Sequence, residues 1–199
     1  LVKGSHIIVD RRYEGDHAYI LQNQDGRVVF ALPFEDRFTL IGTTDSFFDG
    51  DPSQVRINDD ETIYLCDAFN RFFAAPLSPT DVVWSYAGVR PLYGEVPEDP
   101  SKLSRDYTLD FDRGNGREAP LLSVLGGKIT TYRRLAEHAM AMLAPFVPRS
   151  TGAWTATAAL PGGDIPDGNM ERFTENLRRE RPWLSTGLAV RLVRSYGTR

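Results

Sequence analysis

Alternation of apolar and polar residues divides the first part of the chain into short β-strands. The segments that show it are His6–Val9, Ala18–Gln22, Arg27–Leu32 and Phe38–Ile41. Asp25-Gly26, between the second and third segments, is typical of a tight hairpin turn, because glycine tolerates the positive φ that such turns need. The pattern therefore predicts an antiparallel β meander.

Helical spacing replaces alternation after residue 58. Asn58 and Glu61 have the spacing of a capping box, and they predict a helix over Asp59–Phe73 that packs on the sheet. The apolar residues at this spacing are Ile63, Leu65, Phe69 and Phe72. A further strand is predicted at Asp81–Tyr86, followed by Arg90-Pro91. Proline disfavours a helical conformation in the residue before it, so Arg90 is expected in extended backbone.

The stretch LLSVLGGKITTYRRL, which starts at Leu121, joins an apolar run, a glycine pair and the start of a helix. The run Leu121–Leu125 predicts one buried strand, paired with a strand at Arg105–Phe111. The helix is predicted to continue to Phe146. Two residues can cap it through their side chains, Thr130 and Thr131. Glycines allow close backbone approach and a helix N-terminus carries partial positive charge, so the stretch predicts an anion site, to which Lys128 adds a full charge.

A nucleotide-binding P-loop and a plain strand-to-helix turn are the alternatives for this stretch. A nucleotide-binding P-loop requires glycine at position 122 and serine or threonine after the lysine, but the chain has Leu122 and Ile129, so that interpretation fails. A plain strand-to-helix turn with a solvated lysine explains the glycine pair equally well when the stretch is taken alone.

The last part of the chain is predicted to be helical and is basic. Helical segments are expected near Met170–Glu180 and Leu184–Tyr196. From residue 147 onward, eight arginines face five acidic residues, whereas the whole chain has a net charge of −4. Such a region can contact an anionic membrane surface, although a solvated face or a partner interface is the more common explanation.

Composition narrows the class of protein. Hydrophobic residues make up 41% of the 199 residues, which is enough for a buried core. The negative net charge argues against a nucleic-acid binder. Cys66 is the single cysteine, which excludes an intrachain disulfide and fits a reducing compartment; it is expected in the helix core. The sequence has no signal peptide, no membrane-spanning run and no metal-ligand pattern.

Five phrases, in order along the chain, resemble FAD-dependent glycerol-3-phosphate dehydrogenase, the quinone-linked respiratory enzyme. They are KGSH from Lys3, IGTTD from Ile41, AGVRPL from Ala87, SRDYTL from Ser104 and GGKITTYR from Gly126. The resemblance implies an α+β fold in which an antiparallel substrate-binding sheet with packed helices covers an FAD-binding domain. It assigns residues 1–86 to the sheet domain, 87–146 to the returning part of the FAD-binding domain and 147–199 to the start of a helical C-terminal domain.

The glycine-rich dinucleotide fingerprint of such flavoproteins is absent from this sequence. We therefore expect a fragment of a longer protein, inactive by itself and not retaining FAD. For the full-length protein the resemblance implies oxidation of glycerol 3-phosphate to dihydroxyacetone phosphate, with hydride transfer to FAD and electrons passed to quinone. It also implies a cytoplasmic protein, peripheral on the inner face of the cytoplasmic membrane, with a homodimer as a further possibility.

The resemblance assigns roles to individual residues. It implies His6 as the base, and Arg90 as a catalytic and substrate-binding residue. Arg105, Lys128 and Thr44 are the other implied substrate ligands. The implied FAD contacts are Gly126, Gly127, Lys128, Ile129 and Thr130.

The residues alone leave alternatives to these roles. His6 could be a structural histidine, Arg90 could form an internal salt bridge with Asp45, and Arg105 could be a surface charge. At the level of function, the rivals are an oxidase that passes electrons to oxygen, a more distant amine or amino-acid oxidase, and a non-catalytic binding domain without flavin.

Overall fold

A nine-residue strand at the start of the chain, β1 (Val2–Asp10), is the centre of the main sheet. It is buried along almost its whole length, as expected of a strand with neighbours on both edges. The structure is a computed structural model that describes residues 1–94, 104–116, 118–147 and 152–199. The described chain forms two compact units, Leu1–Ile129 and Thr130–Arg199.

The first unit contains eight strands and one long helix in its described residues. After β1 they are β2 (Tyr19–Gln22), β3 (Val28–Phe34), β4 (Phe38–Gly42), β5 (Ser46–Phe47), α1 (Asp59–Asn70), β6 (Val82–Arg90), β7 (Tyr107–Asp112) and β8 (Leu121–Gly126). The main sheet has the order β2-β3-β4-β1-β5, and β6 also pairs with β1; every pairing is antiparallel. Strands β7 and β8 form a separate hairpin.

The main sheet packs one face on α1. Ile7 and Val9 of β1 and Ile41 of β4 point to this face, where Leu65 and Phe69 of the helix meet them. Because side chains alternate along a strand, Gly4 and His6 of β1 point to the opposite face. Cys66 on α1 is buried in this core, which confirms the prediction of a core cysteine, and burial raises the pKa of its thiol to about 11.

The second unit contains three helices in its described residues: α2 (Tyr132–Leu143), α3 (Met170–Glu180) and α4 (Thr186–Tyr196). A short 3-10 turn at Ile129–Thr131 precedes α2. Helices α3 and α4 agree closely with the predicted helical segments. No helix in the described ranges is long and apolar enough to cross a lipid bilayer. The predicted domain boundaries, after residues 86 and 146, stay a prediction.

The predicted α+β class is confirmed, as is the capping box: Glu61 N donates to Asn58 Oδ1 at 2.8 Å, and Asn58 N donates to Glu61 Oε2 at 3.1 Å. The meander prediction is right for β2, β3 and β4. It is wrong for β1, which pairs with β4 and β6 instead of β2. Its burial on both faces along most of its length suits a central position.

Four predicted element boundaries or environments are corrected. Helix α1 ends at Asn70, whose side chain bonds to both backbone groups of Leu77, so the chain turns before Phe73. Strand β6 continues to Arg90 because it pairs with β1 down to Val2. Strand β8 is partly exposed, since its one partner strand among the described residues is β7.

The fourth correction concerns the start of α2. Thr131 is the N-cap residue, but its side chain makes no cap hydrogen bond, and its φ and ψ of −98° and 3° are not the extended values of a side-chain cap. The preceding 3-10 turn, which includes Thr130, replaces the predicted capping.

A buried ion pair joins β1 to α1. Lys3 Nζ lies 2.8 Å from Glu61 Oε2, and the two side chains are 11% and 12% exposed. Burial raises the pKa of the Glu61 carboxyl. The hydrogen bonds from Lys3 and from Asn58 N, together with the charge of Lys3, lower it by more than burial raises it, so the pKa lies below its usual value. This carboxylate therefore stabilises the fold above pH 4.5, and the contribution is lost as pH falls through the lower folded-state pKa.

Replacing Glu61 by glutamine is expected to lower the free energy of unfolding by about 3 kcal/mol near neutral pH, because Lys3 keeps a buried charge without its partner. The loss should shrink in acid, where the carboxylate of the unchanged protein becomes protonated. Denaturant unfolding from pH 7 down to pH 3 measures this. Asp59→Asn, on the exposed first turn of α1, is the matched control. Equal stability of both variants at pH 7 would contradict a stabilising ion pair.

Candidate active site

Three of the predicted site residues, all of them cationic, line one cavity of 420 Å³ within the first unit. Arg90 ends β6, Arg105 lies two residues before β7, and Lys128 follows β8. The complete lining is Val89, Arg90, Pro91, Leu92, Arg105, Gly127, Lys128 and Ile129. Residues that are far apart in sequence therefore meet where β6 ends, β7 begins and β8 ends.

The Arg90 guanidinium lies against a glycine of the neighbouring strand. A Cβ added to Gly4 would be 2.5 Å from Arg90 Nη1, so only glycine leaves room for the guanidinium here. Nη1 donates to Asp45 Oδ1 at 3.0 Å, and Nη2 donates to Thr43 Oγ1 at 3.2 Å. The salt bridge to Asp45, raised as an alternative from the sequence, is thus present, and Arg90 lines the cavity as well.

Arg105 shares the same carboxylate. Its Nη2 donates to Asp45 Oδ2 at 3.0 Å. Its Nε is buried and has no hydrogen-bond partner in the part of the chain that the structure describes. Asp45 is 14% exposed at its side chain, whereas Arg105 is 40% exposed. The two arginines are therefore held side by side through one carboxylate, with donors left over.

The glycine turn places Lys128 at the cavity. Gly126 and Gly127 have φ of +71° and +95°, values that favour glycine over other residues. A Cβ on Gly126 would be 3.3 Å from Asp106 O. Ile129, at 88% exposure, lines the cavity beside Lys128. Thr130 belongs to the second unit and is not among the lining residues.

His6 lies on the sheet face that also carries Gly4. Its ring stacks on Tyr86, which is opposite it on β6, with centroids 4.8 Å apart and planes 5° from parallel. Gly42 is opposite it on β4, and an added Cβ there would be 2.1 Å from His6 Cδ2. The imidazole therefore occupies the space between an aromatic ring and a glycine.

Burial, and secondly the positive charge of Arg90, lower the pKa of His6 below 6.5. The imidazole is therefore neutral at pH 7. Its Nδ1 is buried and has no hydrogen-bond partner in the described ranges. His6 is not among the residues that line the cavity, but Arg90, which does line it, acts on the charge of the imidazole. A neutral imidazole can accept a proton from a bound hydroxyl group.

Thr44 does not line the cavity. It is 2% exposed, and its Oγ1 accepts from Ser5 N at 3.0 Å and donates to Glu61 Oε1 at 3.1 Å. Its side chain thus belongs to the buried network on the α1 side of the sheet. Direct contact between Thr44 and a substrate stays a prediction, and this geometry gives it no support.

Sequence reasoning missed Tyr86 and the purpose of two glycines. Nothing local marks Gly4 and Gly42 as places where the side chains of Arg90 and His6 must fit. Gly4 lies two residues before the predicted strand His6–Val9 and Gly42 directly after Phe38–Ile41, whereas the observed strands β1 and β4 include both glycines.

These side chains combine two chemical capacities. Three positive side chains line the cavity, two of them paired with the same carboxylate, and such a cluster suits a phosphoryl group. The neutral His6 adds a proton acceptor. Within the described residues, no group of three or more potential metal-ligating side chains comes together.

The sequence matches the model of a known protein family. The model of the family described as FAD dependent oxidoreductase matches residues 1–133. This chain belongs to the FAD-dependent oxidoreductases. The match includes every residue assigned to the site, from His6 to Thr130.

Curated members of this family are similar over the whole chain. Glycerol-3-phosphate dehydrogenase of Pseudomonas aeruginosa is 53% identical over 199 residues, which are 100% of this chain and 38% of the relative. Aerobic glycerol-3-phosphate dehydrogenase of Escherichia coli is 48% identical over 100% of the chain and 39% of its own length. D-erythritol 1-phosphate dehydrogenase of Brucella abortus is 45% identical over 100% of the chain and 39% of its own length.

A solved structure of an FAD-dependent oxidoreductase agrees with this result. The X-ray structure of glycerol-3-phosphate dehydrogenase from Bacillus halodurans, complexed with FAD, has a TM-score of 0.79 and 30% identity, covering 99% of this chain and 38% of that chain. The resemblance noted from sequence phrases is confirmed. The chain spans less than two fifths of the length of these relatives.

Proposed function

We propose that this chain forms the substrate-binding side of a flavoenzyme that, at full length, oxidises glycerol 3-phosphate to dihydroxyacetone phosphate. The observation that carries the proposal is the meeting of Arg90, Arg105 and Lys128 at one cavity. Two substrates named by the similar proteins, glycerol 3-phosphate and D-erythritol 1-phosphate, are both polyols with one phosphate. A phosphate is the group that such a cluster of cations recognises.

Arg90 and Arg105 hold the phosphate in this proposal. A guanidinium has five N–H donors in a plane, and the bonds to Asp45 and Thr43 use only some of them. The remaining donors can bind phosphate oxygens in pairs, which fixes the orientation of the polyol as well as its position. Lys128 contributes a third positive charge from the glycine turn.

His6 removes the proton of the C2 hydroxyl group. Its lowered pKa keeps the imidazole neutral at neutral pH, so one ring nitrogen is ready to accept a proton. The stack on Tyr86 and the close approach of Gly42 hold the ring in one orientation. Arg90 beside it disfavours a second positive charge on the imidazole, which favours passing the proton on to solvent after each turnover.

The turn at Gly126–Lys128 has the features needed for contact with FAD. Two glycines with positive φ bare the backbone for close approach, and a lysine beside them matches a ring edge that gains negative charge on reduction. We propose Gly126, Gly127, Lys128, Ile129 and Thr130 as FAD contacts. FAD, when bound, supplies the hydride-accepting chemistry that these side chains lack.

Quinone is the proposed electron acceptor, and peripheral contact with the inner face of the cytoplasmic membrane and a homodimer belong to the same proposal. Consistent with membrane contact, the arginine-rich region from residue 147 onward carries an excess of positive charge. Formation of hydrogen peroxide in step with glycerol 3-phosphate oxidation would favour an oxidase instead. A purified full-length protein without flavin would favour a non-catalytic binding domain.

The direct test uses the full-length protein without oxygen. Glycerol 3-phosphate is expected to bleach the flavin absorbance and to give one dihydroxyacetone phosphate per flavin reduced. Glycerol, which lacks the phosphate, is the matched control and should leave the flavin oxidised at the same concentration. D-erythritol 1-phosphate tests the length of the polyol. If glycerol bleaches the flavin as fast as its phosphate ester does, the proposed phosphate site is wrong.

A further inference from the structure

Asp45 bonds to both arginines of the cavity and leaves N–H donors of each guanidinium unused. Its Oδ1 accepts from Arg90 Nη1 and its Oδ2 from Arg105 Nη2, each at 3.0 Å. We propose that Asp45 is a positioning residue that holds these guanidinium groups at the spacing one phosphoryl group requires. The inference rests on the proposed function, because it explains how that phosphate site keeps its shape.

The backbone around Asp45 is fixed from the opposite side of the sheet. Ser5 N donates to Thr44 Oγ1, and Thr44 N donates to Ser5 O at 3.4 Å, so the residue before Asp45 is pinned to β1. Thr44 Oγ1 also donates to Glu61 Oε1, and Glu61 forms the buried ion pair with Lys3. The carboxylate of Asp45 therefore extends from an anchored segment, as a positioning group must.

The bonding pattern leaves the arginines able to bind an anion. Asp45 takes one terminal N–H from each guanidinium, and Thr43 takes one more from Arg90. Arg105 Nε has no hydrogen-bond partner in the described residues although it is buried.

Asp45 also prevents the two guanidinium groups from separating. Like charges repel, and both side chains are partly exposed, so each could move toward solvent without a shared anion. A long, partly exposed side chain loses rotamer entropy when it binds a ligand, and holding it in advance removes that cost from binding. Loss of the carboxylate should therefore weaken phosphate binding even though it makes the site more positive.

The test compares Asp45→Asn and Asp45→Ala with the unchanged full-length enzyme. We expect the KM for glycerol 3-phosphate, and the inhibition constant of inorganic phosphate as a competitive probe, to rise together by about tenfold. The kcat should change by less than about threefold, because the proton acceptor and flavin contacts remain. Asp45→Glu keeps the charge on a longer side chain and is expected to restore part of the phosphate affinity.

The matched control is Asp81→Asn, which removes an ion pair with Arg12 at 3.1 Å; Arg12 follows β1, Asp81 precedes β6, and neither lines the cavity. Its KM and its inhibition by phosphate should stay unchanged. Asp45 variants that fold and bind inorganic phosphate as well as the unchanged enzyme, or more tightly, would overturn the positioning role. If the unchanged enzyme is itself not inhibited by phosphate and does not oxidise glycerol 3-phosphate, the proposed function fails instead.

Discussion

His6→Gln is expected to lower kcat at pH 7.5 by at least about a hundredfold, because general bases contribute about 10²–10⁴-fold to proton-transfer steps. Glutamine retains much of the size and polarity of histidine but cannot accept the proton. The affinity for phosphate should stay close to that of the unchanged enzyme, since the cations of the cavity remain. Steady-state kinetics of the full-length enzyme, with inorganic phosphate as competitive inhibitor, measures both quantities.

The pH profile identifies the cause of this loss. In the unchanged enzyme, kcat should rise with pH as the imidazole loses its proton, and the pKa of His6 in the free protein lies below 6.5. The second ionisation of the substrate phosphate, near pH 6, affects binding, so the profile is read from kcat at saturating substrate. We expect His6→Gln to remove this limb. A variant with an unaltered limb would exclude His6 as the base.

Arg90→Ala is expected to lower kcat/KM for glycerol 3-phosphate by about a hundredfold while the fold survives. Each lost charge-assisted hydrogen bond costs about 1.5–3 kcal/mol, and every 1.4 kcal/mol is a factor of ten. Most of the loss should appear in KM. Because Arg90 is one cause of the lowered pKa of His6, the limb that His6 contributes to the pH profile should also move to higher pH in this variant.

Arg12→Ala is the matched control for this prediction. Arg12, two residues after β1, pairs with Asp81 at 3.1 Å and does not line the cavity. Its replacement removes the same type of side chain and should leave kcat/KM within about twofold. If Arg90→Ala has unchanged kinetics, or if Arg12→Ala loses as much activity, Arg90 has no specific place in the site.

Local sequence signals predicted local structure well. The box formed by Asn58 and Glu61 marked the start of α1, because both partners of each hydrogen bond lie within four residues. The turn at Asp25-Gly26 marked the hairpin between β2 and β3 for the same reason. The end of α1 was missed, since it depends on a bond from Asn70 to Leu77 that no helix propensity encodes.

Long-range arrangement was harder to predict. The pairing of β1 with β4 and β6 depends on which faces can be buried together, and a list of strands does not contain this information. The apolar run of β8 suggested a buried strand, whereas Leu121 is 62% exposed. Hydrophobicity records what a strand can bury and does not identify the partner that covers it.

The residues of the site fall into two groups in this respect. The resemblance of five sequence phrases to a known family assigned three cations to one site. The structure brings these cations, Arg90, Arg105 and Lys128, to one cavity. The glycines that make room for the side chains of the site were not predicted, because their role depends on how closely neighbouring strands approach. Gly4 makes room for Arg90, and Gly42 makes room for His6.

Thr44 illustrates the limit of reasoning from a phrase. It lies between two residues that contact Arg90, in the connection from β4 to β5, yet its own hydroxyl bonds to Ser5 N and Glu61 on the α1 side of the sheet. A phrase assigns a function to a segment, but neighbouring residues of that segment can have different hydrogen-bond partners.

The most direct measurement is a crystal structure of the full-length protein, with its flavin reduced to prevent turnover, in complex with glycerol 3-phosphate. The account predicts phosphate oxygens within hydrogen-bond distance of Arg90, Arg105 and Lys128, and the C2 hydroxyl within reach of His6. A phosphate bound elsewhere, with these three cations still joined only to protein groups, would contradict it.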